Sequence, residues 1–152
     1  MSATNASGPV VFAYDGSDLA KHAIAEAGRL LSGGDALILT VWQPFDVGFL
    51  PAGGLEFDAA QIKDVRDAAA KTAAEGAALA DAAGFRAQSA ELEVSPIWKA
   101  IAEYADEHDA RLIVLGSHGR SGLAGVVVGS VAGAVAAHSG RSVLIVHRGE
   151  DA

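Results

Sequence analysis

The chain has 152 residues and a net charge of −8, and with 51% hydrophobic but only 6% aromatic residues its core must be built from Ala, Val, Leu and Ile. It holds no cysteine, which excludes disulfides, thiolate zinc sites and cysteine chemistry and suits a reducing compartment. Its acidity argues against non-specific nucleic-acid binding, which draws on Lys and Arg, but leaves a nucleotide ligand open, because a few backbone N–H groups hold phosphates locally.

The opening MSATNASGPV lacks a basic region followed by a long apolar run, and no stretch has the apolar length to span a bilayer. The expectation is a cytoplasmic protein with no membrane partner. Residues 10–14 form a short apolar strand that ends at Asp15-Gly16-Ser17, where Ser17 or Asp18 caps the next helix. That helix repeats Leu19, Ala23, Ile24, Ala27, Leu30 and Leu31 at helical period and stops at Ser32-Gly33-Gly34. Residues 36–42 are apolar without alternation, as a strand in a parallel sheet covered on both faces should be. The segment 43–57 is the longest irregular stretch. It is either a lid or partner surface, or a loop tucked onto the core by Phe45 and Phe49.

Asp58 and Gln61 have capping-box spacing. An Ala-rich helix then runs to about residue 83, with Ile62, Val65, Ala69, Thr72 and Leu79 expected inward. Gly84 ends it. The strand 85–94 carries Arg86, Gln88, Ser89, Glu91 and Glu93, which suits a sheet edge. Ser95 is expected to cap the next helix with Pro96 at its first position. After a strand at 112–115 come a glycine-punctuated loop, a helix over about 130–138, a turn at Ser139-Gly140 and a last strand, 142–147. Strand and helix alternate with five strands in all. The predicted fold class is α/β: an open five-stranded parallel sheet with helices on both faces, in one domain spanning 1–152 with its core at about 9–147. No histidine is paired at metal-ligand spacing, so no protein-only metal site is expected.

The segment from Leu112 to Ser130 carries the chemistry. An apolar strand, a glycine-rich turn and a helix start follow one another there. A helix N-terminus offers unpaired N–H groups and the positive end of the helix dipole, and glycines beside it admit a phosphate without a Cβ in the way. Ser130 can cap that helix or donate its hydroxyl to a phosphate oxygen. The spacing is Gly116-x2-Gly119-x9-Gly129-Ser130. It is not a Walker A loop, because no Lys follows the last glycine, and it is not G-x-G-x-x-G.

At these residues the chain resembles the ATP-binding branch of the universal stress protein family, whose motif G-x2-G-x9-G-[ST] is complete here, in the family's usual wording GSHGRSGL. The resemblance extends over residues 10–147. It departs at Ser142, where a proline often precedes the last strand, and at Gly133, where Glu or Asp is common. The resemblance implies a Rossmann-like strand order 3-2-1-4-5, which puts the ligand crevice between the first and fourth strands. It further implies that Ala13 and Tyr14 line a nucleoside pocket, that Asp15 meets the ribose or the metal–phosphate region, and that Val41 bonds the adenine edge through its backbone. Leu115 and Gly116 then pass the ribose and phosphates, His118, Gly119 and Arg120 border the phosphates, and Gly129, Ser130 and Val131 cradle them. Plainer alternatives stay open: Asp15 as a helix cap, Val41 as core, His118 and Arg120 as solvated loop residues.

The cofactor implied is ATP with Mg²⁺. The function implied is a nucleotide-dependent stress-response or signalling module rather than a fast enzyme, since no Lys and no evident base accompany Gly129-Ser130. The alternatives are a slow ATPase or nucleotide transferase, and a protein for cyclic AMP or another adenine nucleotide. The last strand, with Val143, Leu144, Ile145 and Val146 in a row, would lie at a sheet edge without a charge to guard it. Pairing with a second copy across a two-fold axis would cover it, so a homodimer is expected.

Overall fold

The computed structural model describes residues 7–43, 59–94, 96–118 and 128–148. Its elements in chain order are β1 (Val10–Ala13), α1 (Asp18–Leu30), β2 (Gly34–Trp42), α2 (Ala59–Ala82), β3 (Phe85–Glu93), α3 (Ile97–Glu107), β4 (Leu112–Gly116), α4 (Ser130–His138) and β5 (Val143–Val146). The strands pair in parallel in the order β3-β2-β1-β4-β5. The apolar central strands explain this arrangement: side chains alternate across a strand, so a strand that is apolar at every position needs cover on both faces.

That cover is visible in two separate cores. Val10, Phe12, Tyr14, Ile38 and Val114 face α1 and α2, packing on Ala20, Ala23, Ile24, Ala27 and Ala80. Val11, Leu39, Ile113 and Leu115 face α3 and α4, packing on Ile101, Ala105, Ala132 and Val135. β3 lies at one edge and exposes Arg86, Gln88, Ser89 and Glu93, as its polar sequence predicts. β5 is the other edge, with Val143, Leu144 and Ile145 half-buried. Arg141 ties the turn before β5 to the end of α3, donating to Asp106 Oδ1 and Asp109 Oδ1 at 2.9 Å each and to the Ala110 carbonyl at 3.1 Å.

Two local expectations are corrected. The buried face of α2 is Ala69, Ala73, Gly76 and Ala80, while Leu79 is 39% exposed and Ile62, Val65 and Thr72 are only half-buried. The helix lies so close to the sheet that a Cβ on Gly76 would come within 2.7 Å of both Ile38 Cγ2 and Tyr14 Cδ1. Such an approach admits small residues and pushes large ones to the flanks. At α3, Pro96 is the extended N-cap residue with no side-chain capping bond, and Ile97 is the first helical position. Ser95, Asp58 and most of the 43–57 segment lie outside the described residues.

Candidate functional site

β1 is flanked by β2 on one side and β4 on the other. The helix after β1 lies on one face of the sheet and the helix after β4 on the other. The chain winds in opposite directions from this pair, and in open parallel sheets the ligand crevice lies beyond the carboxyl ends at such a point. Two turns border it.

The first turn follows β1. The Tyr14 N–H donates to the Leu39 carbonyl at 2.9 Å, and the Tyr14 carbonyl accepts from the buried Thr40 hydroxyl at 2.9 Å. Residue 14 is therefore held on both backbone groups by β2. The Asp15 carboxylate then accepts from the Ser17 N–H at 2.9 Å, Gly16 takes φ +82°, and Ser17 Oγ accepts from the Ala20 N–H at 3.2 Å. A β-branched or bulky residue would be strained at Gly16. Ser17, not Asp15, caps α1; Asp15 closes the turn ahead of the cap.

The second turn follows β4. Gly116 is buried, and a Cβ there would come 2.9 Å from Leu19 Cγ and 3.3 Å from the His118 carbonyl oxygen. Ser117 is 2% exposed; its N–H donates to the Val146 carbonyl at 2.9 Å, and its own carbonyl accepts from the Gly129 N–H at 2.6 Å. This last bond draws the start of α4 onto the end of β4. Gly129 is the N-cap of α4 and supplies no side-chain bond, so Ser130 is the first helical residue rather than the cap. The first-turn amides of a helix have no intrahelical acceptor. Those of α4 therefore open beside the β4 turn. A Cβ on Gly129 would stand 3.0 Å from Ser117 O and 3.7 Å from His118 Nδ1, so His118 borders the same helix start.

The structure thus brings together Asp15, Gly116, His118, Gly129 and Ser130 around the β1–β4 switch. Ala13, Val41, Leu115 and Val131 all pack on the α3–α4 side of the sheet. Val41 lies two positions past Leu39, the partner of Ala13, and so stands level with the Asp15 turn. Tyr14 does not join that side. Its ring points to the α1–α2 core, is 2% exposed, and can meet a ligand on the α3–α4 side through backbone only. Its hydroxyl is buried without a hydrogen-bond partner among the described residues. Burial, and then the carboxylates of Glu75 and Asp15, raises its pKa above 10.0. Gly119 and Arg120 lie outside the described residues. Sequence reasoning missed Thr40 and Ser117, the two buried polar residues at these strand ends. A lone hydroxyl inside the apolar run of β2 was the available signal for Thr40.

Among the described residues no three His, Cys, Asp or Glu side chains gather at metal-binding distance, and no helix is long and apolar enough to cross a membrane. An open cavity of about 600 Å³ lies at the opposite, amino-terminal rim of the sheet, bordered by Pro9, Asp35, Phe85, Arg86 and His108. Its charges are satisfied internally: Arg86 pairs with Asp35 at 2.9 Å, and Asp81 accepts from the Ala87 N–H at 2.9 Å.

The model of the universal stress protein family matches residues 7–147. A universal stress protein of Mycobacterium tuberculosis is 33% identical over 151 aligned positions, which cover 92% of this chain and 45% of that protein, so the chain spans about half the length of the curated relatives it matches. A crystal structure of a universal stress protein in complex with cAMP is 32% identical, with a TM-score of 0.63, covering 94% of this chain and 98% of that one. The structure of the universal stress protein from Archaeoglobus fulgidus in complex with dAMP is 25% identical, with a TM-score of 0.59, covering 91% and 96%.

Proposed function

The chain belongs to the universal stress protein family, and from that premise we propose that it binds an adenine nucleotide, ATP with Mg²⁺, at the β1–β4 switch and acts as a nucleotide-dependent stress-response or signalling module. The observation that carries the reading is the 2.6 Å bond from the Gly129 N–H to the Ser117 carbonyl, which seats an α4 start without a side-chain cap against the β4 turn. Amides placed this way bind phosphate through charge-assisted hydrogen bonds and the helix dipole, whatever the net charge of the surface. The fit is also steric, because a Cβ at Gly116 or Gly129 would crowd the turn.

In this reading the amides of Ser130 and Val131, with Gly119 and Arg120, hold the phosphates. His118 donates from the rim. Ala13 and Leu115 flank the ribose, and the Val41 backbone meets the adenine edge. Asp15, fixed by its bond to the Ser17 N–H, is the carboxylate for the ribose or for Mg²⁺ arriving with the triphosphate. The metal would neutralise phosphate charge; the chain itself supplies orientation. No lysine follows Gly129-Ser130 as it does in a Walker A loop, and this supports a nucleotide that is held rather than turned over quickly. The same proposal places the protein in the cytoplasm as a homodimer paired through β5, whose first three side chains are only half-buried at the sheet edge.

The test is to purify the protein without added ligand, denature it and identify the nucleotide released, then titrate fresh protein with Mg·ATP. ATP in the supernatant and saturable binding support the reading; no adenine nucleotide and no binding refute it. A second reading, cyclic AMP in the same crevice, is favoured by the 32% identical protein that was crystallised with cAMP. Competition between ATP and cAMP on one sample separates the two.

A further inference from the structure

We infer that α2, an element with no residue in the candidate site, sets the geometry of the Asp15 turn, and that Gly76 is the positioning residue through which it does so. The inference rests on the nucleotide reading for its consequence, but not for its mechanics. The absent side chain at Gly76 makes a notch into which the Tyr14 ring fits: a Cβ there would overlap Tyr14 Cδ1 at 2.7 Å and Cε1 at 3.0 Å. Tyr14 is the residue whose backbone is pinned at both ends to β2, and Asp15 follows it directly. A second contact lies one turn earlier on the helix. A Cβ on Gly16 would meet the Thr72 methyl at 3.3 Å, so α2 covers the turn at the very residue with φ +82°.

The Tyr14 hydroxyl adds an independent observation. It is buried and has no partner among the described residues, so none of them fixes the ring through a polar bond. Among the described residues the ring is located by packing, against Gly76 of α2 and within the core on that side of the sheet. Packed contacts are short-ranged and stiff. The notch is also bordered by Ile38 Cγ2 at 2.7 Å, so filling it presses on β2 and on the ring together, and it is relieved by lifting α2 or by shifting residue 14 and its β2 neighbour. The next Cα is about 3.8 Å along the chain, so Asp15 cannot stay where it is if residue 14 moves. A site that works through placed groups is sensitive to displacements of this size.

A role in packing only and a role in positioning make different predictions. Gly76→Ala improves intrinsic helix propensity, so a weakened helix cannot explain its effect. Three variants are compared with the parent chain: Gly76→Ala, Tyr14→Val, which lacks the δ and ε carbons that the added methyl would meet while the Ile38 contact stays, and the double variant. The first readout is hydrogen exchange of the Ser17 amide, which reports the Asp15 turn without any ligand. The second is the Kd for Mg·ATP, measured well below the melting temperature. Positioning predicts that Gly76→Ala speeds Ser17 exchange and weakens binding by about tenfold, and that the double variant regains part of both, a coupling that a double-mutant cycle resolves. Thr72→Ser, which removes the methyl above Gly16, is a milder variant that keeps the test open should Gly76→Ala fold poorly; it too should speed Ser17 exchange. Should the parent chain bind no nucleotide while Ser17 exchange still responds, α2 positions the turn and the nucleotide reading falls. Ser17 exchange and Kd within about twofold of the parent in Gly76→Ala and Thr72→Ser would overturn the inference.

Discussion

Gly129→Val tests the phosphate cradle most severely without touching the turn after β1. Gly129 has φ −71°, so any residue can adopt its backbone; space is what glycine provides. The added Cβ alone would stand 3.0 Å from the Ser117 carbonyl oxygen and 3.6 Å from His118 Cα. Valine adds two further methyls at this already crowded point. The start of α4 must back away, and the 2.6 Å bond between Gly129 and Ser117 lengthens or breaks. The strain and the weakened bond together cost the fold about 1–3 kcal/mol. Misplacing one amide that donates to a charged phosphate costs binding a further ~1.5–3 kcal/mol, which is about a ten- to hundredfold rise in Kd. Isothermal titration with Mg·ATP measures that rise, and circular dichroism confirms that the variant is folded. Gly140→Ala is the control, since nothing lies within 4 Å of a Cβ there. A folded Gly129→Val protein that binds Mg·ATP within about twofold of the parent would refute the reasoning.

Gly116→Ala brings a Cβ to 2.9 Å from Leu19 Cγ inside the core, so thermal melts should show a loss of about 1–3 kcal/mol; an unchanged melt would mean that Leu19 repacks freely. Tyr14→Phe removes a buried hydroxyl with no partner among the described residues and should leave stability unchanged or raise it by up to about 1 kcal/mol in denaturant titrations, whereas a clear loss would reveal a partner elsewhere in the chain. The same variant tests pH dependence. The folded Tyr14 pKa is raised above 10.0, so the folded chain holds this proton more tightly; the stability it contributes is complete below that value and is lost as pH rises through the folded pKa. Denaturation curves taken upward from about pH 9 should fall less steeply for Tyr14→Phe, and an identical slope would exclude Tyr14 as a source. Arg141→Met breaks the clamp on Asp106 and Asp109, whose side chains are 60% and 62% exposed, so a loss near ~1 kcal/mol is expected, and the parent's advantage should shrink with added salt.

The sheet was legible because its evidence is local and strong: apolar runs without alternation, separated by helices and glycine turns. The polar strand 85–94 announced its edge position in the same way. Both turns that meet at the switch also stood out, because glycine and aspartate at strand ends mark turns. The inward face of α2 was not legible. Hydrophobic periodicity weighs Leu79 and Val65 above Ala73 and Gly76, whereas the separation of helix and sheet, which decides the matter, is a tertiary property. The side of the sheet taken by Tyr14 was written in strand parity, since residues 10, 12 and 14 share a face. Capping went to Gly129 rather than Ser130 because the Ser117 carbonyl, remote from the helix start in sequence, takes the Gly129 N–H and fixes where α4 begins.

The most direct measurement is a crystal structure of the protein grown with Mg·ATP. The account predicts phosphate oxygens on the amides of Ser130 and Val131, adenine beside the Val41 backbone, and Asp15 facing the ribose or the metal. Density for the nucleotide at the amino-terminal rim, or a β4 turn filled by its own side chains with no nucleotide bound, would contradict it.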